Sequence, residues 1–120
     1  MKNNKAIDLL QSMLDAIKVA EDVISETTIE KFRNNNKDQY AVIRSLEVLG
    51  GVAKILPKDI LDKRPDLEWD LIIKTRDKLS HLYITIEGDV LWNTVILDLP
   101  LLKEGITGIL KSIKQLWEKV

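Results

Sequence analysis

Apolar residues recur at intervals of three and four along almost the whole chain, and that rhythm sets what it can fold into. Ile7, Leu10, Leu14, Ile17 and Ile24 fall on one stripe, with Met13, Ala20 and Val23 beside it. A helix turns about 100° per residue, so such residues share a flank that must be buried against another element. The spacing predicts a long first helix. "SETTIEKF" then reads as a cap and a short second helix, with Thr28 as N-cap. After the polar break "RNNNKD", a third helix is expected from about Lys37 to Leu56. It should bury Ile43, Leu46, Leu49, Ala53 and Leu56, and Pro57 should stop it.

Pro57 and Pro65 punctuate a connection. A fourth helix is expected from near Asp66, a break at Gly88, a fifth helix over "DVLWNTVILDL", and a sixth with Pro100 in its first turn. Ile106, Ile109, Leu110, Ile113 and Leu116–Trp117 form the apolar stripe of the last. Strand-like alternation is confined to "LYITIE", too short to build a sheet. The expected fold is therefore an all-α antiparallel helical bundle, one domain over residues 1–120, without repeats or low-complexity segments. Gly50 and Gly51 stand inside the third helix, where each costs about 1 kcal/mol relative to alanine. They read as a close helix–helix approach or as a functional requirement.

Composition narrows the chemistry. There is no cysteine and one histidine, so thiolate catalysis, disulfides, Cys-based zinc sites and a multi-His site within one chain are excluded. No acidic cluster suggests a carboxylate-only Mg²⁺ site. No metal or cofactor is expected. A net charge of −1 gives no global basic field for nucleic acid, so any RNA contact should be local or shared across an oligomer. Asp8, Gln11 and Asp15 interrupt the first apolar run, which argues against a signal peptide, and no run is long enough to span a membrane. A cytoplasmic location is the expectation.

The single histidine lies in "RDKLSHLY", Arg76 to Tyr83. As structure, this is a helix with surface charges and a half-buried tyrosine. A Ser80–His81–Asp77 triad is rejected, because the three are too close in sequence and no glycine-rich elbow exposes the serine. As chemistry, the stretch suits phosphate. RNA carries its own nucleophile in the 2′-hydroxyl, so cleavage needs only proton transfer and neutralisation of a crowded phosphate. Histidine moves protons near neutral pH, and arginine offers a fixed fork of donors to phosphate oxygens. Five residues along an ideal helix rotate by about 140°, however, so Arg76 and His81 do not share a face, whereas Arg76 and Tyr83 nearly do. A two-fold dimer bringing two copies of this helix together would supply a cleft in which they converge. Lys74, Arg76 and Lys78 add a small positive patch, read either as a solvated face or as an RNA guide. Trp69, Trp92 and Trp117 fall at helical apolar positions and read as core or interface rather than base-stacking groups. Arg44 and Glu47 are spaced to pair on a helix surface.

"RDKLSHLY" matches Arg-x4-His-x-Tyr, and the sequence around it is similar to HEPN-domain toxins of the HepT type. "AVIRSLEVLGGVAKILP" resembles that family's third-helix segment, "RPDLEWDLIIKTRDKLSHLY" its approach to the motif, and "VLWNTVILDLPLLKEGI" its C-terminal helix. The resemblance covers most of the chain. It implies a HEPN-like helical homodimer with paired motifs and metal-independent endoribonuclease activity. It further implies a toxin–antitoxin pair with a cognate MntA-like nucleotidyltransferase. In that pattern Arg76 and His81 are catalytic, Asp77 helps to position them, and Tyr83 receives AMP from the antitoxin, which silences the toxin. The chain departs from the pattern at Asp77, where asparagine is frequent, and at Gly51, where glutamate is frequent. The alternative is a non-catalytic nucleotide- or partner-binding module that restrains a toxic nucleotidyltransferase.

Overall fold

A computed structural model describes residues 2–79 and 87–118, with side chains from 5 to 79 and from 87 to 116. Among these residues every regular element is helical. The α-helices are α1 (Lys2–Ser25), α2 (Ile29–Phe32), α3 (Asn36–Ile55), α4 (Lys58–Leu61), α5 (Trp69–Leu79), α6 (Gly88–Asn93) and α7 (Leu99–Glu118). The all-α expectation is met. Most of "LYITIE" lies outside the described residues.

The helix starts follow the sequence chemistry. Thr28 caps α2, its hydroxyl accepting from the Lys31 N–H at 3.3 Å, and Asn35 caps α3 through the Asp38 N–H at 3.0 Å. The core runs through α1, α3 and α7. Leu10, Met13, Ile17, Phe32, Leu49, Leu91, Ile106 and Ile113 are all but inaccessible, each such burial stabilising by about 1.5–3 kcal/mol. In α1 the fully buried line is Ala6, Leu10, Met13, Ile17, Ala20 and Ile24, while Ile7, Leu14 and Val23 sit at its margin. In α3, Leu46, Leu49 and Ala53 are buried as expected, as is Leu56 just after it, while at the start of the helix Val42 takes the inward position and Ile43 is half-buried. Leu116 is exposed, not part of the buried stripe of α7, and the Trp117 side chain lies outside the described residues.

Two boundaries differ from expectation. The fourth helix was expected from Asp66, but Pro65–Leu67 form a 3-10 turn and α5 begins at Trp69. Glu68 between them adopts φ 53°, ψ 52°. This reversal aims the Glu68 carbonyl along α5, where it accepts from the N–H groups of Leu71 and Ile72. The second difference lies near Pro100. Separate fifth and sixth helices were expected, yet the backbone runs helically from Gly88 to Glu118 through a π-helical turn, Thr94–Asp98. The Leu99 N–H bonds to the Thr94 carbonyl, five residues back. Proline has no N–H and its ring collides with the carbonyl four residues earlier, so a widened turn just ahead of Pro100 lets the helix pass through it. No described helix is long and apolar enough to cross a membrane.

α3 occupies the middle of the fold. It packs along α1 on one side and along α5 on the other, and α1 also packs on α7. Every charge on α5 is therefore placed by how α5 lies on α3.

Candidate active site

Three contacts seat α5. At its start, the Trp69 indole is buried and its Nε1–H donates to the carbonyls of Leu61 (3.1 Å) and Arg64 (2.9 Å). These bonds tie α5 to the end of α4 and to the turn that precedes it. Leu67, in the 3-10 turn, lies over Gly105 of α7, and a Cβ at Gly105 would come within 2.8 Å of Leu67 Cδ2. The third contact is at Arg76. Its Cβ and Cγ lie directly over the α3 backbone at Gly50. A Cβ there would collide with Arg76 Cβ, and would stand 2.7 Å from Arg76 Cγ and 2.9 Å from the Ile72 carbonyl oxygen. The neighbouring Gly51 faces open space within 4 Å. Of the two glycines, one makes the close helix approach expected from the sequence and the other makes none.

Arg76 thus has an enclosed stem and an accessible head. Its side chain is 38% exposed, and Nη1 donates to the Asp77 carboxylate at 3.3 Å. An ion pair this exposed adds little stability, so its consequence is orientation and partial neutralisation of the guanidinium. Lys74 and Lys78 are exposed on the same helix. His81, Tyr83 and Ser80 lie outside the described residues, so the distances from His81 and Tyr83 to Arg76 are not part of this geometry.

The chain is anchored again beyond that stretch. Arg33, following α2, clasps Asp89 of α6 with two bonds, Nε–Oδ1 at 2.7 Å and Nη2–Oδ2 at 3.1 Å. The hydrogen bond and the charge of Arg33 hold the Asp89 carboxyl below its ordinary range, and Asp89 holds Arg33 above its own. The Gln39 amide donates to the carbonyls of Phe32 (2.8 Å) and Arg33 (3.1 Å), closing the end of α2, and a Cβ at Gly88 would stand 3.2 Å from that amide nitrogen. Trp92 packs on Phe32 with the ring planes inclined at 59° and centroids 5.5 Å apart. Trp69 and Trp92 are therefore packing groups, as expected. The residues on both sides of positions 80–86 are fixed to the bundle, through α3 on one side and α2 on the other. Sequence spacing did not reveal the Arg33–Asp89 clasp, because its partners are 56 residues apart. The expected Arg44–Glu47 pair is not among the ion pairs of the described residues.

Beside α5 lies an apolar cleft of about 230 Å³, floored by Leu46, Leu49 and Leu102 and edged by Leu71, Leu97 and Leu101. Those last three are each half or more exposed. Asp66, Glu68 and Asp98 also line it. That is the wrong charge for a phosphate chain. Among the described residues, no three His, Asp or Glu side chains converge as a metal site.

The family of proteins described as Ribonuclease HepT-like matches residues 13–109. A Methanocaldococcus jannaschii protein, to which its name ascribes RNase activity, is 38% identical over 107 residues, 89% of this chain and 85% of its own. A Thermococcus cleftensis protein, whose name ascribes to it the identity of ribonuclease HepT, is 38% identical over 96 residues, 80% of this chain and 87% of its own. A second M. jannaschii protein with an RNase ascription is 33% identical over 111 residues, 90% of this chain and 96% of its own. No solved structure matches the chain. With a helical bundle that seats Arg76 against its central helix and a family match across most of its length, this chain belongs to the HepT-like ribonuclease family.

Proposed function

We propose that the protein is a metal-independent endoribonuclease of the HEPN type, with Arg76 and His81 as its catalytic residues. The observation that carries this reading is the seating of Arg76. Its stem is pinned on α3 while its side chain stays 38% exposed, on a helix that also carries the exposed Lys74 and Lys78. A pre-placed fork of donors stabilises charge on a phosphate without reorganising as that charge develops. In the proposed reaction, His81 takes the proton of the 2′-hydroxyl, whose oxygen attacks the adjacent phosphorus. The P–O5′ bond breaks and the departing 5′-oxygen takes a proton from water, while the histidinium returns its own proton to solvent. Arg76 neutralises the pentacoordinate phosphate, and the products are a 2′,3′-cyclic phosphate and a 5′-hydroxyl end. Asp77 orients the guanidinium.

The reading includes a two-fold homodimer in which two copies of α5 face each other. The exposed Leu71, Leu97 and Leu101 beside the cleft support it, since burying them against a second copy removes apolar surface from water. It also includes a cognate MntA-like nucleotidyltransferase antitoxin that attaches AMP to Tyr83, making the protein the toxin of a toxin–antitoxin pair in the cytoplasm. The Arg76–Asp77 pair favours a second reading, in which the carboxylate keeps the guanidinium occupied and the motif only docks a nucleotide or the partner.

RNA cleavage in the presence of EDTA, with 2′,3′-cyclic phosphate or 3′-phosphate ends, is the expected result. Arg76→Ala and His81→Ala should each abolish it while the helical circular-dichroism spectrum is retained. Wild-type cleavage by His81→Ala would sink the catalytic assignment, and absence of growth arrest on expression without the partner would favour the binding module. Light scattering showing a monomer at micromolar concentration would count against the dimer.

A further inference from the structure

We propose that Gly50 is a positioning residue for Arg76. The bare α3 backbone at this point is the seat that sets the height and direction of the guanidinium. The inference rests on the reading of Arg76 as the phosphate-neutralising group. A Cβ at position 50 would meet Arg76 Cβ, Arg76 Cγ at 2.7 Å and the Ile72 carbonyl oxygen at 2.9 Å. None of these is the free end of a flexible side chain. Two belong to the root of Arg76 and the third to the backbone one turn earlier on α5. A rotamer change cannot clear them, so α5 itself must lift off α3. Carbon atoms in contact lie about 3.5–4.0 Å apart, so even the Cγ contact requires a displacement of about 1 Å. Trp69 holds the start of α5 in place, so the lift is concentrated near Arg76. Gly51 supplies an internal control. It sits on the same helix turn, has the same intrinsic helix propensity, and a Cβ there meets nothing within 4 Å.

The test compares Gly50→Ala, Gly51→Ala and Arg76→Ala with the wild-type protein, each shown by melting to be folded at the assay temperature. The substrate is a mixed-sequence RNA oligonucleotide carrying a fluorophore and a quencher. A misplacement of about 1 Å costs roughly 100-fold in rate, so Gly50→Ala should lose kcat on that scale. Its KM should stay within about threefold, because Lys74 and Lys78 still attract the strand. Gly51→Ala should cleave as wild type does. A glycine needed only for stability would instead leave kcat per folded molecule unchanged. If Gly50→Ala cleaves at the wild-type rate while Arg76→Ala is inactive, the inference is wrong and the reading of Arg76 stands. If Arg76→Ala also cleaves as wild type does, that reading falls and the inference with it. If Gly50→Ala does not fold, the measurement passes to Arg76→Gly with Gly50→Ala added, which removes the colliding Cβ and Cγ and leaves a small adjustment against the Ile72 carbonyl. Recovery of the melting transition supports the seat. No recovery overturns it, because the glycine then serves the helix crossing as a whole.

Discussion

Trp69→Phe tests how α5 is anchored, and its cost can be worked out from the contacts. The substitution keeps an aromatic ring in the buried site but removes the indole N–H that donates to Leu61 and Arg64. Neither carbonyl is stranded. The Leu61 oxygen still accepts from the Arg64 N–H at 3.3 Å, and the Arg64 oxygen from the Leu67 N–H at 3.2 Å. The large penalty for an unsatisfied buried acceptor therefore does not apply, and the loss is that of a net hydrogen bond, about 1 kcal/mol. The shorter ring leaves a void of roughly 40 Å³, which at about 24 cal/mol per Å³ adds about 1 kcal/mol. Unfolding entropy of about 2.1 cal/mol/K per residue, taken over 120 residues, converts the total of about 2 kcal/mol into a fall in Tm of about 8 °C. Thermal unfolding followed at 222 nm measures it, and urea titration should show a lower midpoint at unchanged slope. A Tm within about 2 °C of wild type would refute the reasoning, since it would mean that the indole bonds contribute nothing beyond what water supplies in the unfolded chain.

Gly105→Ala should destabilise by about 1–3 kcal/mol because its methyl would press on the buried Leu67. Gly108→Ala, where a Cβ meets nothing within 4 Å, should stabilise by about 0.5–1 kcal/mol. Paired urea titrations check the sign. Asp89→Asn should lower Tm at neutral pH, and the difference from wild type should shrink as pH falls. The folded Asp89 carboxyl is held below its unfolded value by Arg33, so its contribution is complete above the unfolded pKa of about 3.9 and disappears as pH drops through the folded one. A Tm difference that stays constant from about pH 6 to about pH 2 would contradict this linkage. Tyr83→Phe, co-expressed with the nucleotidyltransferase partner, should carry no AMP-sized mass increment and should escape silencing. An increment on the Phe variant would remove Tyr83 from the proposed regulation.

The sequence alone determined what depends on neighbours along the chain. Apolar spacing of three and four yields the helices, Thr28 yields a cap, and Arg76 and His81 suggest a kit for phosphate chemistry from the kinds of side chain present. Local rules worked there because helical turns and caps close over three to five residues. They failed where two distant segments share one constraint. Pro100 announces a helix start, yet the packing of the helix keeps the chain helical through it by widening the turn ahead. Gly50 and Gly51 are indistinguishable as letters, and only the crossing of α3 and α5 makes one of them the floor under Arg76 and leaves the other facing open space. The Arg33–Asp89 clasp is likewise invisible until α2 and α6 meet. The physical reason is the same in each case. Steric contact and ion pairing act through space over a few ångströms, and which residues come that close is decided by the packing of the whole bundle.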